Sequence, residues 1–221
     1  MTLRPNSIVH EIIYDDQLKK ATGVKVIDAE TKETYVFNAD IIFCCASAIA
    51  SASILMQSKS ERFPNGLGND SGELGHNIMD HHLGAGANAR VEGFEDQYFK
   101  GRRPNGVYIP RFRNLGDEAT ERKDFLRGYG YQGGGGRNGM SEHVAEIGYG
   151  EKFKEAILKP GEWTMGIMGF GECLPYHDNK MTLDYDKLDD WGLPTVTFHA
   201  EWKENELAMR EDIKQQAAEM L

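Results

Sequence analysis

Residues 41–58 read Ile-Ile-Phe-Cys-Cys-Ala-Ser-Ala-Ile-Ala-Ser-Ala-Ser-Ile-Leu-Met-Gln-Ser. Ile41–Cys45 lacks any apolar/polar alternation, which predicts a strand covered on both faces, as in a parallel sheet. Small residues follow, then a helix predicted over about Ala48–Ser58. Ser47, Ser51, Ser53, Gln57 and Ser58 argue against a membrane span, which needs about 20 apolar residues. Upstream, strands are predicted at Ser7–Ile13, Gly23–Asp28 and Thr34–Asn38, linked by the charged stretch Tyr14–Lys20 and the polar turn Glu30–Glu33. The order is therefore a β-meander, a buried strand and a helix.

Downstream the composition changes. Pro64–Gly75 is loop-like, and a boundary near 60–85 separates residues 1–84 from 85–221. The second region reads as mostly β. Its strands are predicted at Ala85–Val91, Gly106–Arg111, Leu126–Tyr131, Trp163–Leu174, Lys180–Asp184 and Thr195–Trp202. A helix is predicted at Glu151–Leu158, ended by Lys159-Pro160-Gly161. A last helix spans Glu204–Leu221, with Leu207, Arg210, Ile213, Ala217, Met220 and Leu221 as its apolar-leaning stripe. It meets no glycine stop, so the reading expects an interrupted helix.

The chain has 221 residues, 40% hydrophobic and 27% charged, an ordinary globular balance. Its net charge of −10 argues against nonspecific nucleic-acid binding, which needs a basic surface. Met1–Asn6 has no leader pattern, and a cytoplasmic or a periplasmic location stays open. Cys44, Cys45 and Cys173 form no CxxC pair and are expected to be small buried hydrophobes.

Several patterns invite a stronger reading. Gly128-Tyr129-Gly130-Tyr131-Gln132-Gly133 satisfies GxGxxG letter for letter. The glycines that follow cannot readily open the helix a pyrophosphate cradle requires, so a flexible strand end or hairpin is expected. His76, His81 and His82, with Asp80, lack the i, i+4 spacing of a helical metal pair, and a packed or domain-bridging loop is expected. His143, His177 and His199 look isolated and structural. Tyr98, Phe99, Arg102, Arg103, Tyr108, Arg111, Phe112 and Arg113 interleave aromatic and basic side chains. That mixture suits single-stranded nucleic acid, a carbohydrate pocket or a decorated sheet, with Glu92, Glu95 and Asp96 and the acidic balance weighing against nucleic acid. Cys44–Ala48 puts small residues at the end of a buried strand before a helix, where a cofactor backbone can come close. Tight strand–helix packing explains the same run equally well.

Taken in order, several segments resemble the glucose–methanol–choline (GMC) oxidoreductases. Leu3–Ile12 resembles the strand that passes the adenine of FAD in that family. Ala21–Val24 with Asn38–Ile42 resembles its meander, Cys44–Ser51 its small-residue turn, and Ile54–Ser58 the helix behind it. Leu67–His81 (LGNDSGELGHNIMDH) carries the most specific match. Asn179–Leu183 and Asp190–Pro194 resemble substrate-domain motifs. The resemblance implies an α/β plus β fold: part of an FAD-binding, Rossmann-like domain over 1–84, joined to part of a mostly antiparallel β substrate domain over 85–221. It implies FAD as cofactor, a small-molecule alcohol or sugar as substrate, and oxidation of a CH–OH group by hydride transfer to flavin. It leaves the electron acceptor open. It implies that Val9 offers backbone hydrogen bonds to the adenine edge, and that Cys45, Ala46 and Ser47 approach the FAD diphosphate or ribose. No strand–GxGxxG–helix and no catalytic histidine segment of that family is matched here. The expectation is an internal piece of a longer enzyme, inactive alone and a weak binder of FAD. The alternative is a non-catalytic GMC-like module for binding or assembly.

Overall fold

The structure, a computed structural model, describes residues 2–94, 96, 106–137, 149–158 and 161–221. Two compact units emerge. The first comprises Met1–Met79 with Pro175–Glu201, the second Asp80–Leu174 with Trp202–Leu221. The sequence boundary at residue 84 keeps 175–201 with the second region, whereas their contacts group them with the first unit.

In the first unit, β1 (Ser7–Asp15), β2 (Lys20–Asp28) and β3 (Thr34–Asn38) form the expected antiparallel meander in the order β1-β2-β3. Short turns fix its register. Asp15 Oδ1 accepts the amides of Gln17 and Leu18, and Asp28 Oδ1 those of Glu30 and Thr31, the side-chain capping that favours aspartate at turns. A bulge between Val9 and Glu11 interrupts the β1–β2 ladder at His10. Helix α1 (Ala48–Gln57) packs on β1. Ser58 closes that contact: its hydroxyl donates to Ile54 O and accepts the amide of Ile12 at 2.8 Å. A hairpin of β8 (Lys180–Leu188) and β9 (Pro194–His199) completes the unit. It is tied to the β2–β3 turn by Trp191 Nε1 donating to Ala29 O and Lys32 Nζ donating to Asp190 O.

The buried strand expected at Ile41–Cys45 does not form. These residues pair with no strand, and Ile41 and Phe43 are 74% and 83% exposed. An apolar run becomes a strand only when a neighbour takes its backbone hydrogen bonds, and no strand among the described residues lies beside it. Cys44 and Cys45 are exposed for the same reason, and Cys173 is only partly buried, so the cysteines are not the buried hydrophobes expected.

In the second unit, β4 (His81–Arg90), β5 (Val107–Ile109), β6 (Tyr129–Arg137) and β7 (Trp163–Glu172) form an antiparallel sheet in the order β4-β7-β6-β5. The glycine run at 133–136 lies towards the end of β6, paired with β7 throughout and with β5 at Gly133. Helix α2 (Glu151–Leu158) matches its expected span. Helix α3 (Glu204–Met220) packs against β4 and β7.

The buried face of α3 differs from the expected stripe. Met209, Ile213 and Ala217 are buried together with Glu206 and Asp212, while Leu207 is half exposed. Gly169 and Gly171 make this possible, because a Cβ on either would lie 2.5 Å from Ile213 Cγ2 or 2.6 Å from Met209 Sδ. Asp212 is buried because Arg113 meets it through two bonds of 2.8 and 3.0 Å and Tyr129 donates its hydroxyl. The core joins Ala85, Phe125, Tyr129, Tyr131 and Ile167 to this helix face.

Candidate functional site

Two surfaces merit a functional reading, one in each unit. The first surrounds the start of α1. Ser47, its N-cap residue, has φ +68° and makes no side-chain capping bond, and no acidic residue sits in the first turn. Ser47, Ala48, Ile49 and Ala50 are all exposed. An uncapped helix start lined by small side chains leaves its first amides open to an anion. Of the other expected residues, Cys45 is exposed and Ala46 partly buried in the segment leading into the helix. Val9 lies in β1, 37% exposed, opposite Val26 and beside the His10 bulge. Among the described residues, strand β1 pairs only with β2, so its other edge carries backbone groups that no described strand engages, with the Ile12 amide taken by Ser58. An open strand edge is what an adenine edge needs for main-chain hydrogen bonds, and an uncapped helix start is what a phosphate needs. Each of the two features, taken separately, offers what one part of a dinucleotide binds.

The second surface is the sheet face of the second unit opposite α3. It carries a cleft of about 990 Å³, lined by strands β4 to β7. Tyr129 and Tyr131 point to the α3 side, with the Tyr131 hydroxyl on Ile213 O. Gly86, Asn88, Gln132, Gly134, Gly166 and Met168 line the hollow. Of these, Gln132 and Gly134 were read from the sequence only as part of the GxGxxG stretch and the glycines after it, and the others were not singled out. A usable signal existed: Gly128-Tyr129-Gly130-Tyr131 alternates glycine with tyrosine at period two, placing bulk on one face and nothing on the other.

The histidines have other employments. His76 stacks on His177 with ring centroids 4.0 Å apart, and its Nδ1 lies 2.6 Å from His177 O. His177 is thus not isolated. His82 is wholly buried at 0% exposure, edge-on to Trp202, with Arg210 Nη1 3.4 Å from its Nε2. Burial first and the Arg210 charge second push its pKa down to about 4, Glu206 acting weakly the other way. Glu206 holds the start of α3, accepting the amides of Lys203 and Leu174. Burial raises its pKa, but those hydrogen bonds outweigh it and hold the carboxyl below its ordinary value. No group of three or more His, Cys, Asp or Glu is placed to hold a metal among the described residues.

Of the aromatic–basic stretch, Tyr98, Phe99, Arg102 and Arg103 lie outside the described residues, as does His143. Tyr108 lines the cleft, while Phe112 packs against Tyr129 and Tyr131, and Arg113 pairs with Asp212. No helix among the described residues is long and apolar enough to cross a membrane.

Comparison with known proteins gives these surfaces a context. Residues 2–83 match the family model of the GMC oxidoreductases. The 2-methyl-1,2-propanediol dehydrogenase of Mycolicibacterium austroafricanum is 29% identical over 199 residues, covering 86% of this chain and 34% of that protein. The fructose dehydrogenase large subunit of Gluconobacter japonicus is 26% identical over 190 residues, with the same two coverages of 86% and 34%. The chain spans about a third of the length of these relatives, and the part similar to the GMC oxidoreductase family model is residues 2–83.

Proposed function

We propose that this chain is part of an FAD-dependent oxidoreductase acting on the CH–OH group of a small alcohol or sugar. Residues 1–84 contribute to a Rossmann-like cofactor-binding region, and the sheet of the second unit contributes to the substrate-binding region. The observation that carries the reading is in the first unit. The segment matched by the family model contains both an open strand edge at β1 and an uncapped, small-residue helix start at Ser47–Ala50. The names of the relatives, a diol dehydrogenase and a fructose dehydrogenase, agree with an alcohol-oxidising role.

In this reading the Val9 backbone meets the adenine edge. Cys45, Ala46 and Ser47 allow the ribose and diphosphate to approach without a side-chain clash. The first amides of α1 neutralise phosphate charge through their partial positive end. FAD, when bound, supplies the hydride acceptor, and the protein supplies position. The pyrophosphate loop and the catalytic base are not assigned to any of these 221 residues. The chain on its own is therefore inactive and binds FAD weakly, having few of the charge-assisted contacts a diphosphate needs.

ADP, as the nucleotide end of FAD, tests this on the purified chain by amide NMR. The expected result is shifts confined to Val9 and Ser47–Ala50. Ser47→Asp should cap α1 yet weaken ADP by about tenfold or more, because a carboxylate then occupies the anion position. ADP that leaves these amides unmoved, or a purified chain that carries stoichiometric flavin, overturns the assignment.

A further inference from the structure

We propose that the free edge of β3 pairs antiparallel with β3 of a second copy of this chain, about a two-fold axis through Val36, so that the two meanders join into one continuous sheet. Neither Val9 nor the start of α1 takes part in this contact.

The first unit holds β3 on one side only. Its partner is β2, and no described strand lies along the other edge. The ladder shows which groups are left over. The Asp28 amide donates to Glu33 O at 2.9 Å, and the Ala39 amide donates to Thr22 O at 3.0 Å. Residues 33 and 39 therefore turn their main-chain groups toward β2, and alternation assigns Tyr35 and Phe37 to the same side. Thr34, Val36 and Asn38 aim theirs outward.

That edge lacks the usual guards. Thr34–Asn38 reads Thr-Tyr-Val-Phe-Asn, without proline and without charge, and its pairing with β2 has no bulge. Tyr35, Val36 and Phe37 are 38%, 54% and 43% exposed. An apolar, regular, open edge is a template for another strand.

The local sequence is complementary to itself, and this selects a second copy as the occupant. With Val36 opposite the partner's Val36, Tyr35 stands opposite the partner's Phe37 and Thr34 opposite the partner's Asn38. Just beyond the strand ends, Lys32 comes near the partner's Asp40. Two-fold symmetry makes each unlike pair twice. Aromatic meets aromatic, hydroxyl meets amide and cation meets anion, the pairings that favour neighbouring strands. The outward residues Thr34, Val36 and Asn38 all fall at hydrogen-bonded positions, so each exchanges both of its main-chain bonds. A slide of two residues sets Val36 against Asn38 or Thr34. A slide of one sets outward groups against inward ones.

The charges are available. The Asp40 side chain is 98% exposed, with Lys20 Nζ 3.6 Å away. Lys32 Nζ donates to Asp190 O at 2.7 Å, and an ammonium has further protons to give. Arg4 lies over the rings of Tyr35 and Phe37, 5.0 and 5.8 Å from their centroids, and keeps both on one face of the strand.

Sedimentation equilibrium on the 221-residue chain tests the pairing, with a concentration-dependent monomer–dimer equilibrium expected. Val36→Pro removes an outward amide and no bond to β2, as an edge strand tolerates, and should raise the dissociation constant about a hundredfold. Asp40→Lys should raise it about tenfold, and adding Lys32→Asp should bring it back to within about threefold of the starting value. In a mixed isotope-labelled sample, the α-protons of Tyr35 should show a nuclear Overhauser contact to those of the partner's Phe37, which a single copy does not allow. A chain still monomeric at about 500 µM overturns the second copy as occupant and leaves the edge to a different strand. A dimer that Val36→Pro leaves intact uses another surface and overturns the proposal. A dimer that the proline breaks, but that the double charge reversal does not restore, overturns the two-fold register.

Discussion

The sheet of the second unit and the meander of the first differ in what covers them. In the second unit, α3 lies on one face and buries Met209, Ile213 and Ala217 completely, with Asp212 and Glu206 beside them. In the first unit, every residue of β3 is exposed, Tyr35, Val36 and Phe37 included, and α1 buries only Ile54. Two carboxylates are thus buried in one unit while three large apolar side chains face outward in the other. Polarity alone does not decide burial. A charged side chain goes inside when cations and amides meet it, and an apolar one stays outside when no layer lies over it.

That contrast can be broken by experiment, and the largest effect belongs to the covered sheet. Asp212→Ala removes the carboxylate that Arg113 and Tyr129 share and leaves the guanidinium half-buried without its partner. A loss of about 3–5 kcal/mol is expected, confined to the second unit and read by urea unfolding. The first unit has a neutral counterpart in Ser58→Ala. It strands the Ile12 amide in a buried contact and should cost about 2 kcal/mol, with faster amide exchange at Ile12 and no change at Tyr129.

The effect smallest per step of the variable changed is a pH dependence that differs between the units. His82 is held at a pKa of about 4 against an ordinary 6.5, by burial first and then Arg210, with Glu206 opposing. The unfolded chain takes up a proton near pH 6.5 that the folded unit refuses until about pH 4. Stability of the second unit therefore falls as pH drops through that window, by on the order of 1 kcal/mol per pH unit. His82→Gln should flatten this slope. His10 in the first unit is lowered in the same direction, by burial and the Lys25 charge against Glu11, and its own Gln variant separates the two contributions.

Much of the secondary structure was legible in local pattern. The meander turns follow from aspartates at their starts, helix α2 matches its expected span, and α3 follows from a run of helix formers. The start of α1 was also legible as a candidate site, because its small residues are written in the chain itself. The hollow face was not. Gly134 reads as looseness until register sets it beside Gly166, and Asn88 reads as one polar residue among many until it stands at the end of that row.

By itself the sequence determined the β-meander, the helices α1, α2 and α3, that the chain is acidic, and which family's motifs it resembles. Those are properties of neighbours along the chain: turn chemistry, hydrophobic period and ordered motifs. Only the tertiary structure decided that Ile41–Cys45 stays exposed, that α3 turns Asp212 inward, and that Gly134 and Gly166 from separate strands lie side by side. Each of those depends on a partner far away in sequence, whether a strand to bond with, a guanidinium to meet or a register to share, and no local window contains it.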